Sequence, residues 1–192
     1  MNYLIGILGF QGAFIEHKNI LDKINVRNII VKTKHDLDKV DALIIPGGES
    51  SVMIKFINSQ NLKDPLEKFI IQDNKYVMGT CAGAIILSKF IISNNKISDG
   101  IIPALDIVIE RNSYGSQYDS FIKKEKLKNI GDFNCIFIRA PKIVKLNDNK
   151  CEILGYNNNN PIFLKKNNII ICTFHPELED TNIHEYFVNL IK

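Results

Sequence analysis

The chain has 192 residues, of which 45% are apolar and 23% are charged, and its formal net charge is +3. This composition is typical of a globular protein with a sizeable core, and the weak positive charge disfavours binding to nucleic acid. None of the four cysteines forms a Cys-x-x-Cys pair, so we expect a reducing cytoplasm and neither disulfides nor a metal site. The N-terminus lacks the pattern of a signal peptide and no apolar run reaches transmembrane length, so we expect no association with a membrane.

Strands and helices alternate along the first part of the chain. Short apolar runs predict strands, and apolar residues spaced three to four apart predict helices. The predicted strands cover residues 3–8, 27–31, 41–45 and 76–78. The predicted helices cover residues 13–24, about 50–58, 62–71 and an apolar, helix-length segment after Gly83. This alternation is typical of a doubly wound, mostly parallel α/β sheet flanked by helices.

The second part of the chain is richer in strands. Strands are predicted at residues 105–110, 135–139, 152–155, 161–164 and 169–174, and the polar residues 157–160 predict a hairpin turn. Residues 181–192 predict a closing helix, capped by Asp180 or Thr181. No linker interrupts the sequence. We therefore predict one domain spanning residues 1–192, with an antiparallel strand extension in its C-terminal half.

A cysteine lies at a predicted strand-to-helix turn. It is Cys81, with Gly79 and Gly83 two residues away on either side. Small flanking residues allow a sharp turn that holds the cysteine side chain out at the edge of the sheet. The positive end of the helix that follows would favour the thiolate, which is the nucleophilic form. The same residues also fit a buried structural cysteine beside helix-packing glycines, so this motif alone leaves both interpretations open.

A histidine and a carboxylate follow the last predicted strand, in the motif His175-Pro176-Glu177. In an extended backbone residues two apart point the same way, so Glu177 could orient His175 and steady its charged form. With Cys81 the two would form a Cys-His-Glu triad. An isolated motif of this kind is more often a solvated loop. We interpret His17 and His184 as surface residues of helices and His35 as a loop residue.

An acyl-transfer nucleophile also needs N–H donors for an oxyanion. The loop Pro46-Gly47-Gly48 and the N–H of Ala82 could supply them, although a plain turn is the alternative for the loop. Loops at residues 9–12, 46–51 and 80–83 all follow predicted strands. Ligands of such sheets bind beyond the carboxyl ends of the strands, so we expect these loops to meet at one edge. None of them matches a dinucleotide-binding or phosphate-binding motif.

Taken together, motifs spread over nearly the whole chain resemble the triad-type (class I) glutamine amidotransferases. Within them, the chain is similar to the glutaminase subunits of pyridoxal 5′-phosphate synthases. The motifs lie at residues 8–13, 45–51, 79–83, 111–117, 120–121, 138–141 and 174–178, in the family's order and spacing. The departures, Ile102-Pro103-Ala104 before Leu105 and Ser51 after the Gly-Gly-Glu loop, affect no triad position.

The resemblance implies a flavodoxin-like, class I amidotransferase fold and a role for each matching residue. Cys81 would attack the side-chain amide of L-glutamine, His175 would pass a proton to the leaving ammonia, and Glu177 would orient His175. The implied glutamine-binding residues are Gly47, Gly48, Glu49, Arg111, Ile138 and Arg139. Gly48 and Ala82 would form the oxyanion hole. Gln11 and Gly12 match a loop that would meet the synthase partner and help set the oxyanion site.

The implied reaction is hydrolysis of glutamine to glutamate and ammonia, without a metal or a bound cofactor. A separate synthase subunit would take up the ammonia to make pyridoxal phosphate. One alternative is the glutaminase of another synthase, such as imidazole-glycerol-phosphate synthase, which the motif at residues 111–117 disfavours. The other is a binding module that docks on a synthase without turnover, which the intact Cys-His-Glu set disfavours.

Overall fold

The computed structural model describes residues 3–113 and 120–191. Tyr114 to Gln117 of the predicted glutamine-binding motif lie outside the described residues, as does Lys192 at the end of the predicted last helix. Within these ranges, no helix is long and apolar enough to cross a membrane.

The helices and strands of the described residues are numbered in chain order. The helices are α1 Phe14–Lys23, α2 Lys34–Leu37, α3 Ser50–Ser59, α4 Lys63–Glu67, α5 Ala82–Leu87 and α6 Asn182–Ile191. The first strands are β1 Ile5–Leu8, β2 Asn28–Val31, β3 Ala42–Ile45, β4 Tyr76–Thr80, β5 Ser88–Ser93, β6 Lys96–Asp99 and β7 Leu105–Glu110. The later strands are β8 Phe121–Leu127, β9 Gly131–Phe137, β10 Lys142–Leu146, β11 Glu152–Asn157, β12 Asn160–Lys166 and β13 Ile169–Cys172. A π-helical turn, Lys68–Gln72, continues α4, and a 3-10 turn, Pro176–Leu178, lies between β13 and α6.

The main sheet has the strand order β11-β12-β13-β4-β3-β1-β2 in the part of the chain that the structure describes. Five of the described strands in this sheet run parallel to one another: β13, β4, β3, β1 and β2. Strand β12 is antiparallel to both β11 and β13. The predicted mostly parallel sheet with an antiparallel extension is therefore confirmed. Asn157 pairs with Asn160, which confirms the predicted hairpin between β11 and β12.

Each face of the main sheet packs on a separate apolar layer, as successive side chains of a strand point to opposite faces. On one face Leu43 and Ile45 of β3 join a core that includes Met53 of α3. On the other face Ile44 joins a core that includes Phe187 of α6. Because both faces are covered, the central strands read as continuous apolar runs.

A second sheet, with the order β10-β7-β5-β6 among the described strands, departs from the sequence prediction. The helix predicted after Gly83 ends at Leu87, and residues 88–93 form β5 beside β7. Ser88 turns the chain, since its backbone is extended and its Oγ donates to the carbonyl of Ile85 at 2.7 Å. The prediction of a longer helix was wrong because an apolar run fits a buried helix and a buried strand equally well.

Candidate active site

Cys81 occupies a strained turn between β4 and α5. Its φ of 48° and ψ of −100° lie outside the regions that a side chain favours, and such strain persists only where neighbouring contacts impose it. The Cys81 N–H donates to the carbonyl of Cys172 at 2.8 Å, and its own carbonyl accepts from Ile85 at 3.3 Å. The strand on one side and the helix on the other thus fix the cysteine backbone.

The two glycines of this turn are required by close packing. A Cβ at Gly83 would lie 2.0 Å from the carbonyl oxygen of Ile45, and a Cβ at Gly79 would lie 2.8 Å from Leu87. Larger residues would push α5 away from β3 and β4. The predicted reason for small residues, a sharp strand-to-helix turn, therefore agrees with the contacts.

His175 and Glu177 lie beside the Cys81 turn because β13 is the parallel neighbour of β4. The His175 Nδ1 lies 2.7 Å from Glu177 Oε1, and both side chains are buried. The contact between the two side chains was predicted, but the backbone conformation that brings them together was not. Pro176, Glu177 and Leu178 form a 3-10 turn rather than the extended chain that the prediction assumed.

The same histidine is close enough to Cys81 for the cysteine to raise its pKa. With Nδ1 engaged by Glu177, Nε2 is the ring nitrogen left for the cysteine sulfur. Burial alone would lower the pKa of His175, but the hydrogen bonds and charges of Cys81 and Glu177 outweigh it and raise the pKa to about 10. At neutral pH the imidazole is therefore protonated next to the sulfur.

The carboxyl group of Glu177 is charged although it is buried. Burial would raise its pKa, but the neighbouring His17 and His175 outweigh this effect and hold the pKa below its usual value. A charged carboxylate fixes the tautomer of His175 and stabilises the imidazolium. The residues predicted to act as nucleophile, proton carrier and orienting group thus follow one another in the structure as Cys81, His175 and Glu177.

A cavity of about 170 Å³ opens beside the sulfur. This volume is below the roughly 300–1,000 Å³ of pockets for drug-sized molecules, so it suits a ligand the size of an amino acid. Its lining includes most of the residues predicted to bind substrate, together with Ser50, Ile85 and Asn112, which the prediction missed. The predicted residues in the lining are Gly48, Glu49, Cys81, Arg111, Ile138, Arg139 and His175.

The two predicted arginines reach the cavity from different elements. Arg111 directly follows β7, and Arg139 follows β9 with a φ of 45°. The carbonyl of Ile138 lies 4.0 Å from the Cys81 sulfur. β7 belongs to the second sheet, whereas β9 pairs with β8 in a separate two-stranded sheet. Strand ends from these two sheets therefore bring positive charge to the cavity beside Cys81.

The loop after β3 closes the cavity on another side. Gly47, predicted to bind substrate, does not line the cavity but lies directly behind the reacting groups. A Cβ at this position would lie 2.4 Å from His175 Cε1 and 3.2 Å from Cys81 Cβ. Of the two predicted oxyanion donors, Gly48 lines the cavity and Ala82 is the first residue of α5.

The loop after β1 is tied to the loop after β3. Gln11 Oε1 accepts from the Glu49 N–H at 2.6 Å, and the carbonyl of Gly47 accepts from Ala13 at 3.0 Å. A Cβ at Gly12, whose φ is 93°, would lie 1.8 Å from the Gly47 oxygen. The three loops predicted to meet at one edge of the sheet therefore do so.

The predictions for His17 and His184 were wrong. Both side chains are fully buried, and His17 Nδ1 lies 2.8 Å from His184 Nε2. The sequence spacing does indicate that His17 is buried, because it lies three residues after Phe14 and three before Ile20, on the apolar face of α1. His184 directly follows the buried Ile183 of α6. His35, predicted as a loop residue, is exposed but lies in α2.

The other cysteines differ from Cys81 in their surroundings. Burial raises the pKa of the Cys135 thiol to about 12 and that of Cys151 to about 11, and it raises the pKa of Cys172 well above its ordinary value. All four cysteines are free thiols. Among the described residues, no cluster of three or more His, Cys, Asp and Glu side chains could hold a metal ion.

Comparison with known proteins identifies the family. The sequence matches the SNO glutamine amidotransferase family over residues 7–192. The chain belongs to the SNO glutamine amidotransferase family. The predicted resemblance to glutamine amidotransferases is thereby confirmed.

Three relatives of this SNO family chain carry the same name. The chain is 46% identical over 190 residues to the pyridoxal 5′-phosphate synthase subunit PdxT of Thermosipho africanus, and the match covers 98% of each chain. It is 42% identical over 191 residues to the subunit of that name from Thermotoga maritima, covering 98% of this chain and 99% of the relative. The subunit of that name from Caldicellulosiruptor bescii is 45% identical over 194 residues, with 98% of both chains covered.

Solved structures agree on the fold. A crystal structure of a glutamine amidotransferase superposes with a TM-score of 0.90 at 34% identity, covering 97% of this chain and 98% of that one. PurLQS from Thermotoga maritima superposes with a TM-score of 0.72 over all of both chains at 14% identity, which indicates a shared fold alone. The predicted class I amidotransferase fold is therefore confirmed.

Proposed function

We propose that this SNO family chain is the glutaminase subunit of a pyridoxal 5′-phosphate synthase. The observation that carries the proposal is the contact order Cys81, His175, Glu177 beside a cavity lined by Arg111 and Arg139. The names of its relatives support the choice of synthase. A reducing cytoplasm is the compartment that suits a free nucleophilic thiol.

The first half of the reaction forms a thioester. The Cys81 sulfur attacks the side-chain carbonyl carbon of glutamine, and the resulting oxyanion accepts hydrogen bonds from the backbone N–H groups of Gly48 and Ala82. His175 gives its proton to the amide nitrogen, and the carbon–nitrogen bond breaks to release ammonia. The product on the enzyme is a γ-glutamyl thioester.

The second half reverses these roles. The neutral His175 takes a proton from water, whose oxygen attacks the thioester carbon, and glutamate leaves as the carbon–sulfur bond breaks. The proton taken up restores the imidazolium beside the Cys81 thiolate. Glu177 remains charged throughout and keeps Nδ1 of His175 protonated.

The charges around the cavity match the α-amino acid group of glutamine. Arg111 and Arg139 are cations suited to the α-carboxylate, and an arginine fork can bind a carboxylate through two hydrogen bonds. Glu49, whose Oε1 accepts from Ser51 Oγ at 3.0 Å, is the anion in the lining suited to the α-ammonium group. Recognition at this end would leave the side-chain amide at the sulfur.

We place the synthase partner on the same edge of the sheet. Three exposed apolar side chains lie there: Ile15 of α1, Phe56 of α3 and Leu178 beside Glu177. Phe56 stacks on Phe10 of the Gln11 loop, with ring centroids 5.5 Å apart. A partner on this surface would contact both loops that flank the cavity and would receive the ammonia directly.

Glutamate release tests the proposal. The chain is assayed with glutamine, alone and with a pyridoxal-phosphate synthase subunit. We expect the rate of glutamate release to rise strongly when the partner is added. Phe56→Asp should raise the partner concentration for half-maximal activation about tenfold or more, whereas Ile97→Asp, on an exposed edge strand outside the cavity lining, should not.

Three results would count against parts of the proposal. No activation by the partner would contradict the assignment to this synthase. Glutamate release by Cys81→Ala would contradict the thioester mechanism. Tight binding to the partner with no turnover would favour a docking module instead.

A further inference from the structure

A buried pair of histidines lies behind the carboxylate of Glu177. His17 Nε2 lies 3.1 Å from Thr80 Oγ1 and 3.4 Å from Glu177 Oε2, and its Nδ1 lies 2.8 Å from His184 Nε2. All of these side chains are buried. The contacts join α1 and α6 to the turn after β13, beneath the candidate active site.

We propose that His184 and His17 form a neutral relay of N–H groups that all point toward Glu177, and that His17 is a positioning residue for the Cys81–His175 pair. The inference rests on the proposed glutaminase function. It concerns residues that touch neither substrate nor the sulfur.

The carboxylate sets the direction of the relay. A charged Glu177 only accepts hydrogen bonds, so the His17 Nε2 that faces it must carry the proton. An unprotonated Nε2 would place its lone pair against the carboxylate. The N–H makes its hydrogen bond with Thr80 Oγ1, and it faces Glu177 Oε2 in a longer polar contact of 3.4 Å. Glu177 Oε2 has no hydrogen-bond partner within the described ranges, and the His17 Nε2 contact is the polar group that faces it.

Because both rings are neutral, the nitrogen atoms that carry the remaining protons can be assigned. Burial lowers the pKa of His17, opposed by the charges of Glu177 and Glu16 and aided by that of His175. Burial and His17 lower the pKa of His184 far below its ordinary value. A neutral His17 with a proton on Nε2 accepts at Nδ1, so His184 must donate from its Nε2. The unprotonated nitrogen is then His184 Nδ1, which is the relay atom without a partner in the described part of the chain.

A neutral donor suits this position better than a cation. A buried carboxylate needs hydrogen bonds to offset its loss of hydration. A lysine or arginine here would also cancel the negative charge that supports the imidazolium of His175. The relay holds Glu177 while leaving its charge to act on His175, whose Nδ1 meets the other carboxylate oxygen.

The test compares His17→Phe, which removes the donor, with His17→Gln, whose side-chain N–H₂ can replace it. The exposed His35→Gln is the control. Glutamate release is measured with the synthase partner. We expect His17→Phe to lower kcat about 10- to 100-fold with little change in KM, as for loss of a polar contact to a charged group. His17→Gln should recover most of kcat.

NMR of ¹⁵N-histidine-labelled full-length protein gives a second readout that needs neither glutamine nor a partner. We expect both His17 and His184 as neutral Nε2–H tautomers, and we expect His175 to lose its proton at a higher pH in His17→Phe than in the wild type, because it becomes the remaining partner of the carboxylate. A His17 protonated on Nδ1, or a charged His17, would overturn the relay even if the variant fails to fold. An unchanged kcat and titration in a folded His17→Phe would also overturn it. If the tautomers are as expected but no glutamate forms, the proposed function fails and the relay stands.

Discussion

At Gly47 a single added carbon would reach the reacting groups. Because a Cβ there would lie 2.4 Å from His175 Cε1, Gly47→Ala must displace the imidazole. A displacement of about 1 Å can cost about 100-fold in rate, and we expect such a loss in kcat for glutamate release with a smaller change in KM. A folded Gly47→Ala protein with the wild-type kcat would show that His175 is not held in its working position.

The two arginines of the cavity can be separated by substrate choice. Loss of a charge-assisted bond should raise KM for glutamine about 10- to 100-fold in Arg111→Ala or Arg139→Ala. The substrate 4-aminobutanamide lacks the α-carboxylate. The arginine that binds this group is the one whose substitution abolishes the preference for glutamine over that analogue. Arg27→Ala, at an exposed position outside the cavity lining, is the control and should match the wild type.

Single residues differed in how well the sequence predicted them. Cys81 and Glu177 could be predicted because short local motifs fix their surroundings: small neighbours in one case and a histidine two positions away in the other. His17 and His184 could not be paired in advance, because their contact spans 167 positions and depends on how α1 and α6 pack. Polar residues on apolar faces of two helices were the available signal.

At the scale of the elements, the packing of α5 on β3 depends on Gly83. A Cβ there would lie 2.0 Å from the backbone oxygen of Ile45, which cannot move without disturbing β3. We therefore expect Gly83→Ala to lower the free energy of unfolding by about 2–3 kcal/mol, the upper part of the usual range for overpacking.

Urea denaturation provides the measurement for this variant. Ser59→Ala, at the exposed end of α3, should stay within about 0.5 kcal/mol of the wild type. A Gly83→Ala protein as stable as that control would mean that α5 can move away from β3 at little cost.

Elements of the two smaller sheets were the hardest to predict. Residues 88–93 are apolar enough for either a helix or a strand, and pairing with β7 decides the outcome. The prediction also omitted β6, β8 and β10. β8 carries several charged residues, and β6 is exposed along its whole length, so neither has the apolar run that marks a buried strand. The central strands were predicted because they are buried on both faces.

For the whole molecule, the buried histidines make stability depend on pH. His17 and His184 have pKa values below the ordinary 6.5 in the folded state. Below about pH 6.5 the unfolded chain therefore binds more protons than the folded one, and stability falls as pH falls. The slope approaches about 1.4 kcal/mol per pH unit for each histidine. His175, whose pKa is raised, contributes stability that is fully present in this range and does not offset the loss.

Urea unfolding between pH 6.5 and 5 measures this slope. His35→Gln should leave it unchanged, since that side chain is exposed. His17→Phe should reduce it by the share of one histidine. A flat profile would mean that the buried pair is protonated in the folded protein.

The common edge at which the loops meet was predicted from the order of strands and motifs alone. Parallel strands direct their carboxyl ends to one side, so residues after β1, β3 and β4 had to come together. The arrival of Arg111 and Arg139 at the same cavity could not be predicted this way. Their positions depend on β7 and β9, which belong to separate smaller sheets.

The four cysteines differ in their surroundings, so alkylation of Cys81 alone can measure the fraction of chains with an intact candidate active site. Burial keeps Cys135, Cys151 and Cys172 protonated at neutral pH, whereas Cys81 faces an imidazolium and an open cavity. A small electrophile such as iodoacetamide should therefore add once to each folded chain, and intact-mass spectrometry would show a single adduct that Cys81→Ala abolishes. The fraction of chains labelled then reports how many sites in a preparation are competent, before any turnover is measured. Two or more adducts on folded protein would show that burial does not silence the other thiols.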